Sequence, residues 1–174
     1  MIGIFDSGCG GLTILRGLTQ RLPEYSYIYL GDNARAPYGT RSAETIYAYT
    51  AECVDWLFMQ GATLAILACN TASANALRRL QQEYLPKHWP DRKVLGILVP
   101  TVEAITDAVA HAPAALPFNV AVYGTPATVA SEAYVHEIQK RNPRVTVWQQ
   151  ACPNLVEMIE HYAIRAEQEK AVQD

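Results

Sequence analysis

The feature that most limits the folds open to this chain is a unit repeated six times: a short apolar run, a turn of glycine or small polar residues, then apolar residues at helical spacing. The runs lie at 2–5, 27–30, 64–68, 94–99, 120–123 and 145–149. An apolar run too short for a helix reads as a strand buried on both faces, and strands alternating with helices predict parallel pairing. The expected fold class is therefore α/β, with parallel sheets flanked by helices. Each half of the chain holds three such units, and both third units carry a cysteine just past the strand, Cys69 and Cys152. That pattern suggests two similar lobes, 1–92 and 93–174, facing each other across a substrate cleft. The division is set at the breaker Pro86-Lys87-His88-Trp89-Pro90-Asp91.

The helical stretches follow the same logic. Leu12, Ile14, Leu15 and Leu18 form one stripe, and Ser42 caps a second helix that runs to Gly61 with Cys53 and Trp56 on its apolar side. A third helix spans 72–85 with Leu77, Leu80 and Tyr84 inward, and a fourth opens at Thr101 and ends near His111. Thr125 followed by Pro126 reads as an N-cap and first helical position, with the helix continuing to Lys140. Residues 113–117 form a linker, and the charged end, Arg165 to Lys170, reads as an exposed helix.

Half of the residues are apolar, ample for a core, and 17 acidic against 14 basic side chains leave a net charge of −3 with neither sign in a block. No nucleic-acid surface is expected from that balance. The amino terminus lacks a basic leader with an apolar signal core, and no apolar run approaches membrane-spanning length, so a cytoplasmic protein without a membrane partner is expected. The four cysteines are scattered without a C-x-x-C pair, which argues against a zinc knot or a disulfide framework and leaves reduced thiols and no metal site.

The chemistry concentrates at three turns. After the third strand come Cys69-Asn70-Thr71-Ala72-Ser73, where a thiol, an amide and a hydroxyl meet the first N–H groups of a helix able to hold an anion. Cys69 by itself reads equally as a small buried apolar residue or as a reactive thiol. Asp6-Ser7-Gly8-Cys9-Gly10-Gly11 follows the first strand, with glycines free to adopt positive φ and to approach a ligand. Asp6 either caps the next helix or handles protons. The loop Gly31-Asp32-Asn33-Ala34-Arg35-Ala36-Pro37-Tyr38-Gly39-Thr40 is dense in turn formers and polar groups, as functional loops are.

Taken together, Ile4-Phe5-Asp6-Ser7-Gly8-x-Gly10-Gly11-Leu12, Gly31-Asp32-x-Ala34-Arg35-x-Pro37-Tyr38-Gly39 and Ala68-Cys69-Asn70-Thr71-Ala72-Ser73 resemble the signature segments of bacterial glutamate racemases. The likeness continues through Gly124-Thr125-Pro126-Ala127-Thr128, Ser131-x-x-Tyr134 and Ala151-Cys152-Pro153-x-Leu155-Val156-x-x-Ile159-Glu160. The resemblance implies a cofactor-independent racemase that interconverts L- and D-glutamate for peptidoglycan synthesis. By matching position it makes Cys69 the first catalytic cysteine, with Asp6 and Glu160 as assisting carboxylates. Ser7, Pro37, Tyr38, Gly39, Asn70 and Thr71 match substrate-pocket positions.

One departure stands out. The family's second catalytic cysteine lies in a Gly-Cys-Thr-His segment, and no such segment occurs before Asp174; Cys152 belongs to a different motif. Racemisation needs a base on one face of Cα and an acid on the other, so these 174 residues alone are expected to racemise little or not at all. A helix N-terminus is expected to lower the Cys69 pKa from about 8.5 toward neutrality. Tyr38 and Ser7 are expected to fix one end of the substrate, Asn70 and Thr71 a carboxylate. An alternative is a noncatalytic or one-thiol relative that binds an acidic amino acid without inverting it. An incomplete core would also expose apolar surface and favour homo-oligomers.

Overall fold

The computed structural model describes residues 1–111 and 118–162. The 113–117 linker and the charged end at 165–170 lie outside them. Among the described residues six parallel strands form two sheets, matching the six repeated units. The larger has the order β2-β1-β3-β4, built from β1 (Ile2–Asp6), β2 (Tyr27–Gly31), β3 (Leu64–Leu67) and β4 (Lys93–Gly96). The smaller pairs β5 (Phe118–Gly124) with β6 (Val145–Ala151) in parallel over seven residues.

β1 is buried throughout, which is why its sequence shows no alternation. Ile2 and Ile4 face α1 (Gly11–Arg21), whose Ile14, Leu15 and Leu18 complete a cluster with Ala68. Phe5 faces the opposite cluster with Leu57 and Phe58 of α2 (Ala43–Met59). Gly3 lies between the two because a Cβ there would stand 3.2 Å from both Ala62 and Leu57, so its smallness admits α2 against the strand. Ser42 caps α2 by accepting from the Thr45 N–H, and Gly61 closes it at φ 92°, a conformation open to glycine. Leu12 and Trp56, expected on buried stripes, are both exposed.

The third helical stretch begins earlier than its apolar pattern indicates. α3 (Asn70–Asn75) is capped by Cys69 and followed by a short turn, α4 (Leu77–Arg79), a π-helical turn (Leu80–Tyr84) and α5 (Leu85–His88). Pro86 does not end the helix. It has no N–H to give the preceding turn, and there the backbone widens so that the Leu85 N–H reaches the Leu80 carbonyl. Asp55 holds this turn by accepting from Tyr84 and from the Trp89 indole.

β4 corrects the expected domain boundary. The 92/93 division groups it with the second lobe, yet it pairs with β3 in register Leu64↔Lys93 to Leu67↔Gly96 and forms the edge of the first sheet. It also stops at Gly96 instead of running to 99, because α6 (Leu98–Ala110) starts three residues before Thr101 with Pro100 in its first turn, where a missing N–H costs nothing.

In the smaller sheet, one face packs on α6 and α8 (Ala133–Arg141) through Leu98, Val102, Tyr134, Ile138 and Val145. The other face exposes Tyr123 (67%) and Trp148 (66%). The helix expected over 126–140 is broken into α7 (Pro126–Ala130) and α8 by Glu132 at φ 53°, with Ser131 Oγ accepting from the Ala133 N–H. A final helix over 155–162 follows β6. Among the described residues no helix is long and apolar enough to cross a membrane.

Candidate active site

In the larger sheet the chain passes from β1 to β2 on one side and then to β3 on the other, so the strand order reverses between β1 and β3. Open α/β sheets hold ligands at the carboxyl ends of strands flanking such a switch. Asp6 ends β1, and Cys69 stands two residues beyond β3. The topology therefore brings the first and third signature turns together, with Ser7 Oγ and Cys69 Sγ 3.4 Å apart.

Cys69 is buried, at 5% exposure, and its sulfur accepts from the Ala72 N–H at 3.4 Å. Thus the first turn of α3 gives an N–H to the thiol. The expected lowered pKa does not follow. Burial pushes the Cys69 thiol up from its ordinary value and the charge of Asp6 adds to the rise, while hydrogen bonds from Ser7 and Ala72 oppose it without prevailing. At neutral pH this group is a protonated thiol.

Asp6 performs the capping role. Its Oδ2 accepts from Gly8 N–H at 3.0 Å and Gly11 N–H at 3.2 Å, which ties the glycine turn to the strand tip. Gly11 owes its place to crowding: a Cβ would lie 2.7 Å from Asp6 Cβ and 3.0 Å from Ala68 Cβ. Among the described residues the only glycine at positive φ is Gly61, so this turn does not use the freedom expected of it. Tyr29 donates to the Gly8 carbonyl at 3.0 Å, and burial followed by the Asp6 charge raises its pKa.

Glu160, on the last helix, comes to the same turn. The position a Cβ would take on Gly8 lies 3.0 Å from Glu160 Oε1 and 3.9 Å from Asp6 Oδ2, so two carboxylates from opposite ends of the chain flank Gly8.

The loop of 32–40 contributes differently from expectation. Tyr38 is fully buried between Phe5 and Tyr49, and its hydroxyl donates to Asp32 Oδ2 instead of standing free for a ligand. Burial and that bond hold its pKa high. Arg35 also bonds Asp32, at 2.6 Å, and Glu52, and stacks over Tyr49, so its charge is spent between the loop and α2. Pro37 is exposed after a cis peptide bond. Gly39 presses against Thr125, and its carbonyl accepts from the Ala127 N–H at 2.9 Å.

Elements of the smaller sheet meet this edge through side chains. Thr71 Oγ1 lies 3.1 Å from Thr125 Oγ1 and 3.4 Å from Thr128 Oγ1, a triangle of three hydroxyls. Tyr134 donates to Asn70 Oδ1 at 2.6 Å, and Asn75 donates to the Ala127 carbonyl at 3.2 Å. Thr128 and Tyr134 carried no role in the sequence reading and Thr125 only that of a local cap. Their spacing in GTPAT and SxxY was the available signal, but their partners are more than fifty residues away. Cys53, by contrast, is core as its helical stripe indicates, and Cys9 is exposed. An open concavity of about 420 Å³ lies apart from all of this, against β4 and lined by Gln81, Leu85, Arg92 and Lys93.

Comparison with known proteins identifies the family and the fold. The glutamate racemase of Caulobacter sp. (strain K31) is 49% identical over 173 residues, covering 91% of this chain and 60% of the relative. Among solved structures, glutamate racemase isoform RacE1 from Bacillus anthracis superimposes with a TM-score of 0.81 at 30% identity, over 97% of this chain and 59% of that one. The Francisella tularensis glutamate racemase in complex with D-glutamate gives 0.77 at 39% identity, over 92% and 55%. The chain thus spans about three fifths of the length of the curated relatives it matches. With the sequence model of the Asp/Glu/hydantoin racemases also matching residues 12–174, the chain belongs to that racemase family.

Proposed function

We propose that these residues form the Cys69 half of a cofactor-independent glutamate racemase, a cytoplasmic enzyme supplying D-glutamate for peptidoglycan. The observation carrying the proposal is the meeting of Cys69 with Ser7 at the β1/β3 switch point, beside the carboxylates flanking Gly8. A glutamate bound in a cleft between two lobes would present Cα to the Cys69 sulfur. Because the thiol is protonated at neutral pH, its first task in this scheme is to return a proton to a Cα carbanion on its own face. The reverse step, abstraction, begins when the sulfur passes that proton to solvent, leaving a thiolate that takes the Cα proton as its new S–H, and the Ser7 and Ala72 hydrogen bonds favour the thiolate once formed. Asp6 and Glu160, the two carboxylates that flank Gly8, assist by facing the ammonium group as its ion-pair partners. The substrate carboxylates then fall to neutral donors, Asn70, Thr71, Ser7 and the backbone N–H groups of Tyr38 and Gly39, with Pro37, which has no N–H, lining the pocket by contact alone. Hydrogen bonds of this kind are the means left to stabilise the developing negative charge.

Within residues 1–174 this scheme supplies one acid/base thiol of the two that inversion requires. Incubated in ²H₂O with either enantiomer of glutamate, the chain is expected to exchange the Cα hydrogen of one enantiomer without appreciable inversion. NMR reads the lost Cα–H signal and circular dichroism reads inversion. The Cys69→Ser variant should lose exchange. Retained exchange in that variant, or ordinary racemase turnover by the 174 residues, refutes the scheme. Glutamate binding without any exchange in either protein supports the binding-only alternative. Homo-oligomerisation through the exposed Tyr123 and Trp148 face belongs to the same proposal, and sedimentation velocity at rising concentration reads it.

A further inference from the structure

We infer that Tyr134 is a positioning residue that sets the hydrogen-bonding polarity of the site by fixing the amide of Asn70. The inference rests on the reading of Asn70 as a ligand to the substrate carboxylate. Asn70 follows the thiol directly, opens α3 and is exposed, so its side chain has no packing to fix it. A primary amide in that situation rotates freely and offers a ligand its carbonyl as readily as its NH₂ group.

Tyr134 removes the choice. Its ring is buried with Leu98, Val102, Ile138 and Val145, anchored on α8 after the break at Glu132, and only its hydroxyl emerges. That hydroxyl donates to Asn70 Oδ1 at 2.6 Å. With the carbonyl corner held, the planar amide turns its Nδ2 the opposite way, and among the described residues Nδ2 has no protein partner. Asn70 therefore presents donors only. A carboxylate satisfies two such donors, whereas an ammonium group does not. The phenol comes from the element packed on the smaller sheet and the amide from the end of the larger one, so the bond also makes the polarity of Asn70 depend on the two sheets being docked.

The test uses Tyr134→Phe, which keeps the buried ring, together with Asn70→Ala and the double variant. D-Glutamate affinity is measured by calorimetry and the Asn70 side-chain NH₂ signals by NMR on ¹⁵N-labelled protein. Tyr134→Phe is expected to bind D-glutamate about fivefold more weakly, the effect of one hydrogen bond of about 1 kcal/mol. In the Asn70→Ala background the same change should have no further effect, since the phenol acts through the amide. The two Asn70 NH₂ protons should be well separated in the parent chain and move toward the exposed-amide position in Tyr134→Phe. Equal weakening in both backgrounds, or no weakening, overturns the inference. Failure of the parent chain to bind D-glutamate overturns the functional reading instead, and the NH₂ signals then decide the positioning by themselves: signals unchanged by Tyr134→Phe refute it.

Discussion

Replacing Gly39 by alanine tests how tightly the switch-point edge of the larger sheet is docked on the start of α7. A Cβ on Gly39 would stand 2.5 Å from Thr125 Cγ2 and 2.6 Å from Thr125 Cβ, where ordinary contact begins at 3.4 Å. Neither atom is the far end of a flexible chain, so the backbones must part by the shortfall, about 0.9 Å. A parting of that size stretches the Ala127 N–H to Gly39 carbonyl bond from 2.9 Å to about 3.8 Å, beyond hydrogen-bonding range. Overpacking costs about 1–3 kcal/mol and the lost bond about 1 kcal/mol more. Gly39→Ala should therefore lower Tm by roughly 4–16 °C at about 2–4 °C per kcal/mol. Gly17→Ala is the internal control. Gly17 lies mid-helix in α1 with nothing within 4 Å of its Cβ position, so alanine there should raise stability by roughly 0.5–1 kcal/mol. Calorimetry or urea titration reads both. The same sign of shift in the two variants, or a Gly39→Ala protein that melts with the parent, would show that the packing of Gly39 on Thr125 is not what joins these segments.

Two further outcomes concern the thiols. Iodoacetamide should modify exposed Cys9 well before Cys69, and the rate at Cys69 should climb only above the ordinary thiol range; Asp6→Asn removes a charge that raises the Cys69 pKa and should move that climb to lower pH, as read by mass spectrometry of the labelled peptides. Burial and the Asp32 charge push Cys53 up to about 11, while an unfolded thiol titrates near about 8.5. Between those values the folded chain keeps a proton that the unfolded chain releases, so stability is full below about pH 8.5 and declines as pH rises toward 11, by roughly 2–3 kcal/mol. Urea midpoints at pH 8 and 10.5 should show this slope, and Cys53→Ala should reduce it, leaving the part due to Cys69 and the buried tyrosines, while lowering stability overall. An equal slope in both proteins would refute the assignment to Cys53.

The six repeated units were enough to determine an α/β chain with parallel strands, because short apolar runs alternating with helical stripes pair in parallel whether the strand is buried on both faces, as β1 is, or on one, as β5 and β6 are. The same turns marked Asp6, Ser7, Cys69, Asn70 and Thr71 as candidates, and the fold brings Ser7 and Cys69 together. Caps are equally local, so Ser42 and Thr125 were legible where they stand.

Pairing was not. That β4 completes the first sheet depends on pairing across 29 residues, and that Thr125, Thr128 and Tyr134 reach Thr71 and Asn70 depends on contacts across more than fifty, none of which a period encodes. Ionisation was decided by the tertiary structure too. A helix N-terminus argues for a thiolate, but burial of Cys69 beside a carboxylate outweighs a single N–H bond, and only the packed fold shows how much water the sulfur has lost.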